Sequence, residues 1–174
     1  MEHIKSLIRT IPDFPKQGIE FRDLTTLFLH PVGFKWVIDA LAERYRDEPI
    51  DMLVGVESRG FILGAPLAYA LGKGFTPVRK PGKLPGQKVG VEYELEYGTD
   101  RLEIHTDALE RGARVLMVDD LIATGGTMRA ACKLVEQVGA QVMGCAFVAE
   151  LVDLHGREKL AGYPLHVLFT FEGD

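Results

Sequence analysis

Short apolar runs alternate repeatedly with helical segments along the chain, and few folds accommodate this pattern. Residues 34–45 and 130–138 carry apolar side chains at helical spacing, which predicts amphipathic helices. Strands that alternate with helices build parallel sheets covered on both faces. The sequence therefore predicts an α/β fold with a doubly wound, mainly parallel sheet flanked by helices. The runs that predict its buried strands are "DMLVGV", "FTPVRK", "ARVLMVDD", "QVMGCAFVAEL" and "PLHVLFTF".

The size and composition of the chain suit one globular domain. The 174 residues are 47% hydrophobic and have a mean hydropathy of +0.05, which favours a packed core over disorder. The sequence contains no internal repeat, low-complexity segment or linker. We therefore expect a single domain over residues 1–174.

Two parts of the chain depart from the strand–helix rhythm. Apolar residues at helical spacing over residues 4–11 predict a short amphipathic helix, which Pro12 ends. The stretch "KPGKLPGQKVG" at residues 80–90 predicts a long exposed loop. After it, "VEYELEY" and "RLEIHTD" alternate in polarity, which predicts the two strands of a hairpin.

The charge balance argues against a nucleic acid partner. Lys and Arg number 20, Asp and Glu number 25, and the formal net charge is −5. Proteins that bind nucleic acid usually carry a basic footprint. Basic residues cluster only locally, which points to a small anionic ligand. They are Arg79, Lys80, Lys83 and Lys88.

Cysteine usage and hydropathy indicate a cytoplasmic protein with no membrane partner. Cys132 and Cys145 fit no metal or redox spacing, so we expect two buried thiols in a reducing compartment. The charged start of the chain does not resemble a signal peptide. No segment approaches the ~18 apolar residues that a membrane span requires.

The stretch "VLMVDDLIATGGT" at residues 115–127 carries the strongest chemical signal. Asp119 and Asp120 come where a buried strand is expected to end, and ligands of such sheets bind beyond the carboxyl ends of strands. The following glycines and the helix that Thr127 opens would present backbone N–H groups to a phosphate. Carboxylates would repel that phosphate but accept hydrogen bonds from neighbouring hydroxyls. The motif therefore predicts a site for ribose 5-phosphate.

The alternative is that Asp120 and Thr124 only cap the following helix and that the glycines serve a tight turn. Two adjacent carboxylates at a strand end are costly without a ligand, which favours the binding site. The sequence contains neither the G-x-x-x-x-G-K-[ST] loop nor the G-x-G-x-x-G fingerprint of other nucleotide-binding proteins.

The same motif resembles the phosphoribosyl pyrophosphate signature of the type I phosphoribosyltransferases. Further stretches resemble, in order along nearly the whole chain, the members of that family that act on adenine. These stretches are "IPDFPKQGIEFRDLT", "GVESRGFILGAPLA", "VRKPGKLPG", "LEYGTDRLEIHTDAL" and "VAELVDLHGREKL". The resemblance implies transfer of the 5-phosphoribosyl group from phosphoribosyl pyrophosphate to adenine, giving AMP and pyrophosphate in purine salvage. It also implies a flexible hairpin lid, a small hood formed by the N- and C-terminal segments, Mg²⁺ as cofactor and a homodimer.

The resemblance and the motif together assign residues to the phosphoribosyl group and to the pyrophosphate group of phosphoribosyl pyrophosphate. Ser58 and Arg59 follow a predicted strand, and the family places a strained peptide before the serine. On sequence alone, Arg59 and the basic cluster would be read as surface charges. The residues expected to bind the phosphoribosyl group are Asp119, Asp120, Ala123, Thr124, Gly125, Gly126 and Thr127. Those expected to bind pyrophosphate are Ser58, Arg59, Arg79 and Lys83.

The resemblance also assigns the base slot and the catalytic group. Phe21 and Leu151 would sandwich adenine, although single residues of these types are usually core. Backbone groups at Glu20 and Arg22 would read its 6-amino edge, and Glu96 on the lid would manage proton transfer at N7. The pattern alone does not distinguish Glu96 from neighbouring glutamates. Mg²⁺ would be held mainly through substrate, because the sequence shows no dedicated metal cage.

Two other functions remain open at this stage. The first is the same reaction on a 6-oxopurine, whose enzymes commonly carry a lysine just before the position of Leu151. This chain has Ala149 and Glu150 there, which favours adenine. The second is an inactive regulator that senses phosphoribosyl pyrophosphate. Such regulators usually add a nucleic-acid-binding element, for which this acidic chain has no spare segment.

Overall fold

The computed structural model describes residues 2–94 and 98–173. Short strands and helices alternate along most of this length, as the apolar runs predict. The strands are β1 Arg9–Ile11, β2 Phe21–Asp23, β3 Met52–Val56, β4 Gly74–Val78, β5 Lys88–Glu94, β6 Thr99–His105, β7 Arg114–Ile122, β8 Gln141–Leu151 and β9 Leu165–Phe171. The helices are α1 Glu2–Lys5, α2 Thr25–Leu29, α3 Pro31–Tyr45, α4 Arg59–Leu71, α5 Gly126–Gln137 and α6 Gly156–Lys159, with a 3₁₀ turn at Val152–Leu154.

The central sheet is parallel and has the strand order β4-β3-β7-β8-β9. The chain runs outward from β3 to β4 in one direction and from β7 to β9 in the other. The order therefore reverses between β3 and β7, and ligands of such sheets bind at this switch point. The predicted doubly wound α/β fold is confirmed.

Alternate residues of β7 show how the two faces of this sheet are covered. Leu116 and Val118 pack into a core with α3 and α4, whereas Val115 and Met117 pack into a second core with α5. Because successive side chains of a strand point to opposite faces, a strand buried on both sides must be apolar at every position. This requirement explains the unbroken apolar run before Asp119.

Two small antiparallel ribbons accompany the central sheet. The first pairs β5 with β6 and is the predicted hairpin. The second pairs β1 with β2 and lies near the C-terminal strand, since the cationic groups of Lys5 and Arg22 lie 4.8 and 5.0 Å from the centre of the Phe171 ring. The N- and C-terminal segments thus meet, as expected for the hood.

The predicted amphipathic helix over residues 4–11 is wrong in its second half. Helix α1 ends at Lys5, and Arg9–Ile11 forms β1, which pairs with Phe21–Asp23. Ile4 and Ile8 are buried in the core, so the apolar side chains of this segment contribute to the packing of the domain. Pairing with a strand that arrives ten residues later outweighs the local helical spacing, which is a weak preference.

Smaller differences concern element boundaries and the loop before the hairpin. Helix α4 begins at Arg59, and β7 continues beyond the two aspartates to Ile122. Within the predicted exposed loop, Leu84 is an exception and is buried. No helix in the described part of the chain is long and apolar enough to span a membrane.

Candidate active site

A cavity of about 470 Å³ lies where the carboxyl ends of β3 and β7 meet. It is therefore at the switch point of the sheet, where the topology predicts a ligand. The cavity contains all the residues predicted to bind the phosphoribosyl group and two of those predicted to bind pyrophosphate. Its lining comprises Glu57, Ser58, Arg59, Asp119, Asp120, Leu121, Ile122, Ala123, Thr124, Gly125, Gly126, Thr127, Met128 and Phe147.

The loop at residues 123–127 opens helix α5 without a side-chain cap. The N-cap residue is Gly125, whose φ of 77° lies in the left-handed region. Asp120 and Thr124 do not cap the helix, which removes the alternative reading of the motif. A glycine N-cap has no side-chain oxygen to accept from the first-turn N–H groups, so these groups are suited to bind an anion.

A second glycine holds this loop from the other side. A methyl group on Gly125 would lie 2.4 Å from the carbonyl oxygen of Gly156, and one on Gly156 would lie 2.2 Å from the carbonyl oxygen of Ala123. Real side chains do not tolerate such distances, so both positions require glycine for steric reasons. The backbone of α6 thus supports the loop at residues 123–127, which is the predicted phosphate loop.

Asp119 lies against the N-terminus of α4. Gly60 allows this approach, because a methyl group there would lie 2.9 Å from the carbonyl oxygen of Val118 and 3.1 Å from Asp119 Oδ1. Part of Asp119 is accessible from the cavity, but protein atoms surround the carboxylate closely. Burial therefore raises the pKa of Asp119 well above its usual range, and the neighbouring charge of Asp120 raises it further.

Asp120 is almost completely buried, with 2% of its surface exposed. Its Oδ2 atom lies 2.8 Å from Arg59 Nε, close enough for an ion pair, yet it has no hydrogen-bond partner among the described residues. A buried carboxylate oxygen that lacks a hydrogen bond is costly unless a ligand supplies one. Asp120 is therefore suited to accept a hydrogen bond from a hydroxyl in the cavity.

The turn after β3 connects the cavity to the basic cluster. The peptide bond between Glu57 and Ser58 is cis. The Glu57 carboxylate accepts a hydrogen bond from the backbone N–H of Lys80 and lies 3.4 Å from Arg79 Nε. Arg79 thus pairs with a residue of the lining but does not itself line the cavity. Lys83 is exposed on the loop between β4 and β5 and does not line the cavity.

The hairpin contacts the phosphate loop through a tyrosine. Tyr93 on β5 accepts a hydrogen bond from Lys80 Nζ at 3.1 Å and lies 3.5 Å from Thr127 Oγ1. Asp100 on β6 pairs with Lys80 and accepts from the Tyr93 hydroxyl. These contacts place the hairpin over the start of α5, where a lid would have to close.

The four residues predicted for the base slot lie near one another but outside the cavity lining. The Phe21 ring lies 5.8 Å from the Arg59 guanidinium carbon, and Arg22 pairs with Glu20 at 2.8 Å. At the end of β8, Leu151 is opposite Phe171, whose ring Arg22 covers. The predicted slot is therefore adjacent to the cavity. Glu96, the predicted catalytic residue, lies outside the described residues.

Sequence reasoning missed Glu57 and Gly156, and it assigned Lys80 to an anionic ligand although Lys80 contacts Tyr93 and Asp100. Glu57 and Lys80 form the connection between the turn after β3 and the hairpin, and Gly156 supports the phosphate loop. The signal for Gly156 was its place in "GREKL", directly after the base-slot segment, but its steric role depends on a contact with residues about 30 positions away. Local patterns do not reveal such contacts.

Comparison with known proteins identifies the family. The phosphoribosyl transferase domain family matches residues 24–168. An adenine phosphoribosyltransferase from Chlorobium limicola is 59% identical over 175 residues, covering 98% of this chain and 99% of that protein. The chain belongs to the adenine phosphoribosyltransferase family. Members of this family are pentosyltransferases, and the predicted resemblance is confirmed.

Solved structures of adenine phosphoribosyltransferases share the whole fold. The enzyme from Thermoanaerobacter pseudethanolicus is 53% identical with a TM-score of 0.95, and the match covers 98% of this chain and 99% of that one. The Saccharomyces cerevisiae enzyme is 45% identical with a TM-score of 0.91 and 97% coverage of both chains. That structure is a complex with D-2,5-dideoxy-2,5-imino-altritol 1,6-bisphosphate and adenine.

Proposed function

We propose that this protein transfers the 5-phosphoribosyl group from phosphoribosyl pyrophosphate to adenine, releasing pyrophosphate and forming AMP for purine salvage. The observation that carries the proposal is the cavity at the switch point. It combines an uncapped helix N-terminus, which suits a phosphate, with two carboxylates, which suit ribose hydroxyls. Membership of the adenine phosphoribosyltransferase family supports adenine as the acceptor.

In this reaction the bond from ribose C1 to the pyrophosphate oxygen breaks, a bond from C1 to a purine nitrogen forms, and the purine gives up one proton, whose transfer is assigned to Glu96. Positive charge develops on the ribose ring while negative charge develops on the departing pyrophosphate. The buried carboxylates of Asp119 and Asp120 hold the hydroxyls and lie near the cationic sugar. Arg59 at the start of α4, the backbone at Ser58 and Arg79 after β4 would donate hydrogen bonds to pyrophosphate. Charged groups that the fold already holds in position stabilise the transition state without having to reorganise during the reaction.

We further propose that Mg²⁺ enters the site with phosphoribosyl pyrophosphate. The described residues include no cluster of three acidic, histidine or cysteine side chains that could hold a metal. Asp119 and Asp120 supply the hard oxygen atoms that Mg²⁺ and its bound waters prefer. When bound, the ion neutralises charge on the pyrophosphate.

The first test measures pyrophosphate release with Mg²⁺ and phosphoribosyl pyrophosphate, using adenine, hypoxanthine, guanine and xanthine in parallel with a control without base. We expect release with adenine, with AMP formed in equal amount. Release with a 6-oxopurine instead would agree with the assignment of the phosphate site but would overturn the assignment of the base. Binding of phosphoribosyl pyrophosphate without release would identify a sensor in place of an enzyme.

Glu96→Gln is expected to lower kcat by about a hundredfold and to change the KM of either substrate by less than about threefold. The amide keeps the size of the side chain but cannot exchange a proton with adenine. Steady-state kinetics with both substrates measure the effect. Glu92→Gln in β5 is the matched control and should behave as the wild type. An unchanged kcat in Glu96→Gln would contradict the proton-transfer role.

We propose that the protein is a homodimer that associates through α4. Ile62 and Tyr69 on this helix are 41% and 90% exposed, and Ala65 lies between them on the same face. An exposed apolar stripe on one helix favours burial against a second copy. Size exclusion with light scattering should give about twice the 19.3 kDa of the chain. Tyr69→Glu should shift the mass to that of a monomer, whereas Gln137→Glu on the exposed end of α5 should not.

We also propose a cytoplasmic location. Cys132 and Cys145 are buried free thiols whose sulfur atoms lie 3.7 Å apart. Thiols that persist side by side are typical of a reducing compartment.

A further inference from the structure

An ion pair joins the end of β8 to helix α6. Glu150 accepts two hydrogen bonds from the Arg157 guanidinium, one from Nε and one from Nη2, both at 2.6 Å. The Glu150 carboxylate is buried, with 5% of its side chain exposed, whereas half of the Arg157 side chain is exposed. Two parallel hydrogen bonds fix the orientation of the arginine, as a single contact would not.

Each partner of this pair is the direct neighbour of a residue that builds the site. Glu150 precedes Leu151, which is assigned to the base slot, and Arg157 follows Gly156, which supports the phosphate loop. The pair therefore bridges the supports of the two substrate sites. It does not line the cavity itself.

Helix α6 needs such an anchor because it spans only Gly156–Lys159. A single turn of helix is not stable alone, since nucleation is unfavourable. Yet its first residue must stay in tight contact with the carbonyl oxygen of Ala123 and with Gly125. Arg157 extends from this turn back to β8, which is a strand of the rigid central sheet.

We propose that Glu150 and Arg157 are positioning residues that hold α6 against the phosphate loop and keep that loop in register with the base slot. This inference rests on the proposed function. It adds the ion pair that sets the position of one substrate site relative to the other. Because half of Arg157 is exposed, its contribution lies in fixing geometry more than in electrostatic stabilisation. Loss of the pair should therefore weaken binding at the phosphate site more than it slows the chemical step.

Arg157→Ala tests the proposal. We expect the KM for phosphoribosyl pyrophosphate to rise at least about tenfold, with kcat changed by less than about threefold. Added guanidinium ion, which can occupy the vacated position beside Glu150, should lower the KM again. Arg157→Lys keeps the charge and one hydrogen bond, so it should give an intermediate KM and serves if Arg157→Ala does not fold.

Arg114 provides a matched control. It also forms a two-pronged pair, with Asp51 at 2.8 and 2.9 Å, but at the amino ends of β3 and β7, opposite the cavity. Arg114→Ala should leave both KM values unchanged, even if it lowers the melting temperature. An equal rise of KM in the two variants, or a wild-type KM in Arg157→Ala, would overturn the positioning role.

The result is separable from a failure of the proposed function. If the wild type forms no AMP from adenine, that function fails. In that case, titration of wild type and variants with ribose 5-phosphate by calorimetry still measures the phosphate site without turnover. Arg157→Ala should bind ribose 5-phosphate at least about tenfold more weakly than Arg114→Ala does. Equal affinities would reject the positioning role.

Discussion

Gly125→Ala is expected to lower kcat/KM for phosphoribosyl pyrophosphate by at least about a hundredfold. The added methyl group would lie 2.4 Å from the carbonyl oxygen of Gly156, so either the loop or α6 must move. The φ of 77° at this position is also unfavourable for alanine. Movement of the loop would turn the first N–H groups of α5 away from the phosphate.

Gly112→Ala separates the steric effect from the conformational one. Gly112 has a φ of 80°, but a methyl group there would have no neighbour within 4 Å. Both variants should therefore lose about 1 kcal/mol of stability from the backbone conformation. Only Gly125→Ala should lose activity, as measured by initial rates over a range of phosphoribosyl pyrophosphate concentrations. Comparable activity in the two variants would show that the contact with Gly156 is unimportant for catalysis.

Asp119→Asn is expected to raise the melting temperature by a few degrees at neutral pH while lowering kcat/KM by about 10- to 100-fold. Activity falls because the amide is a poorer acceptor for a ribose hydroxyl than the carboxylate. Stability rises because the substitution removes a carboxylate that is crowded by protein atoms and lies beside the charge of Asp120. Sites that bind charged ligands often carry this kind of conflict between stability and function.

The pH dependence of this gain follows from the raised pKa of Asp119. The folded protein holds a proton on Asp119 more tightly than the unfolded chain does. The wild type therefore loses stability as the pH rises from the unfolded pKa through the raised pKa of the folded state. The asparagine variant has no such loss. The difference in melting temperature should be largest above the folded pKa and should vanish in acid.

Asp120→Asn is the matched control for the stability effect. Asp120 faces Arg59 at 2.8 Å, so its removal leaves the arginine without that partner. Burial raises the pKa of Asp120 as well, although the charge of Arg59 opposes the rise. This variant should therefore lose activity as Asp119→Asn does but should gain less stability. Thermal unfolding of both variants and the wild type at several pH values measures the difference. A melting temperature for Asp119→Asn below that of the wild type at neutral pH would contradict the inference that the Asp119 carboxylate destabilises the folded protein.

The hairpin and the N-terminal segment show how far local pattern predicts structure. The alternating stretches after residue 90 predict the antiparallel pairing of β5 with β6, although residues 95–97 lie outside the described residues. This pairing is predictable because each strand finds its partner a short distance along the chain. The helical spacing over residues 4–11 predicts the wrong element at Arg9–Ile11, since its actual partner is Phe21–Asp23. The two outcomes differ because only the first pairing leaves a local signal, two alternating strands separated by a turn.

The doubly wound sheet and the acidic and glycine motif near the end of β7 can both be recognised from runs of consecutive residues. Burial on both faces requires a continuous apolar run, and both the acidic pair and the glycine turn are formed by consecutive residues. Three contacts could be seen only in the folded structure. They are the packing of Gly156 on Gly125, the ion pair of Arg59 with Asp120 and the hydrogen bonds of Arg157 with Glu150. Each of these contacts joins different elements. Spacing along a chain records which face of an element is buried, but the partner of that face is selected only when the elements pack together.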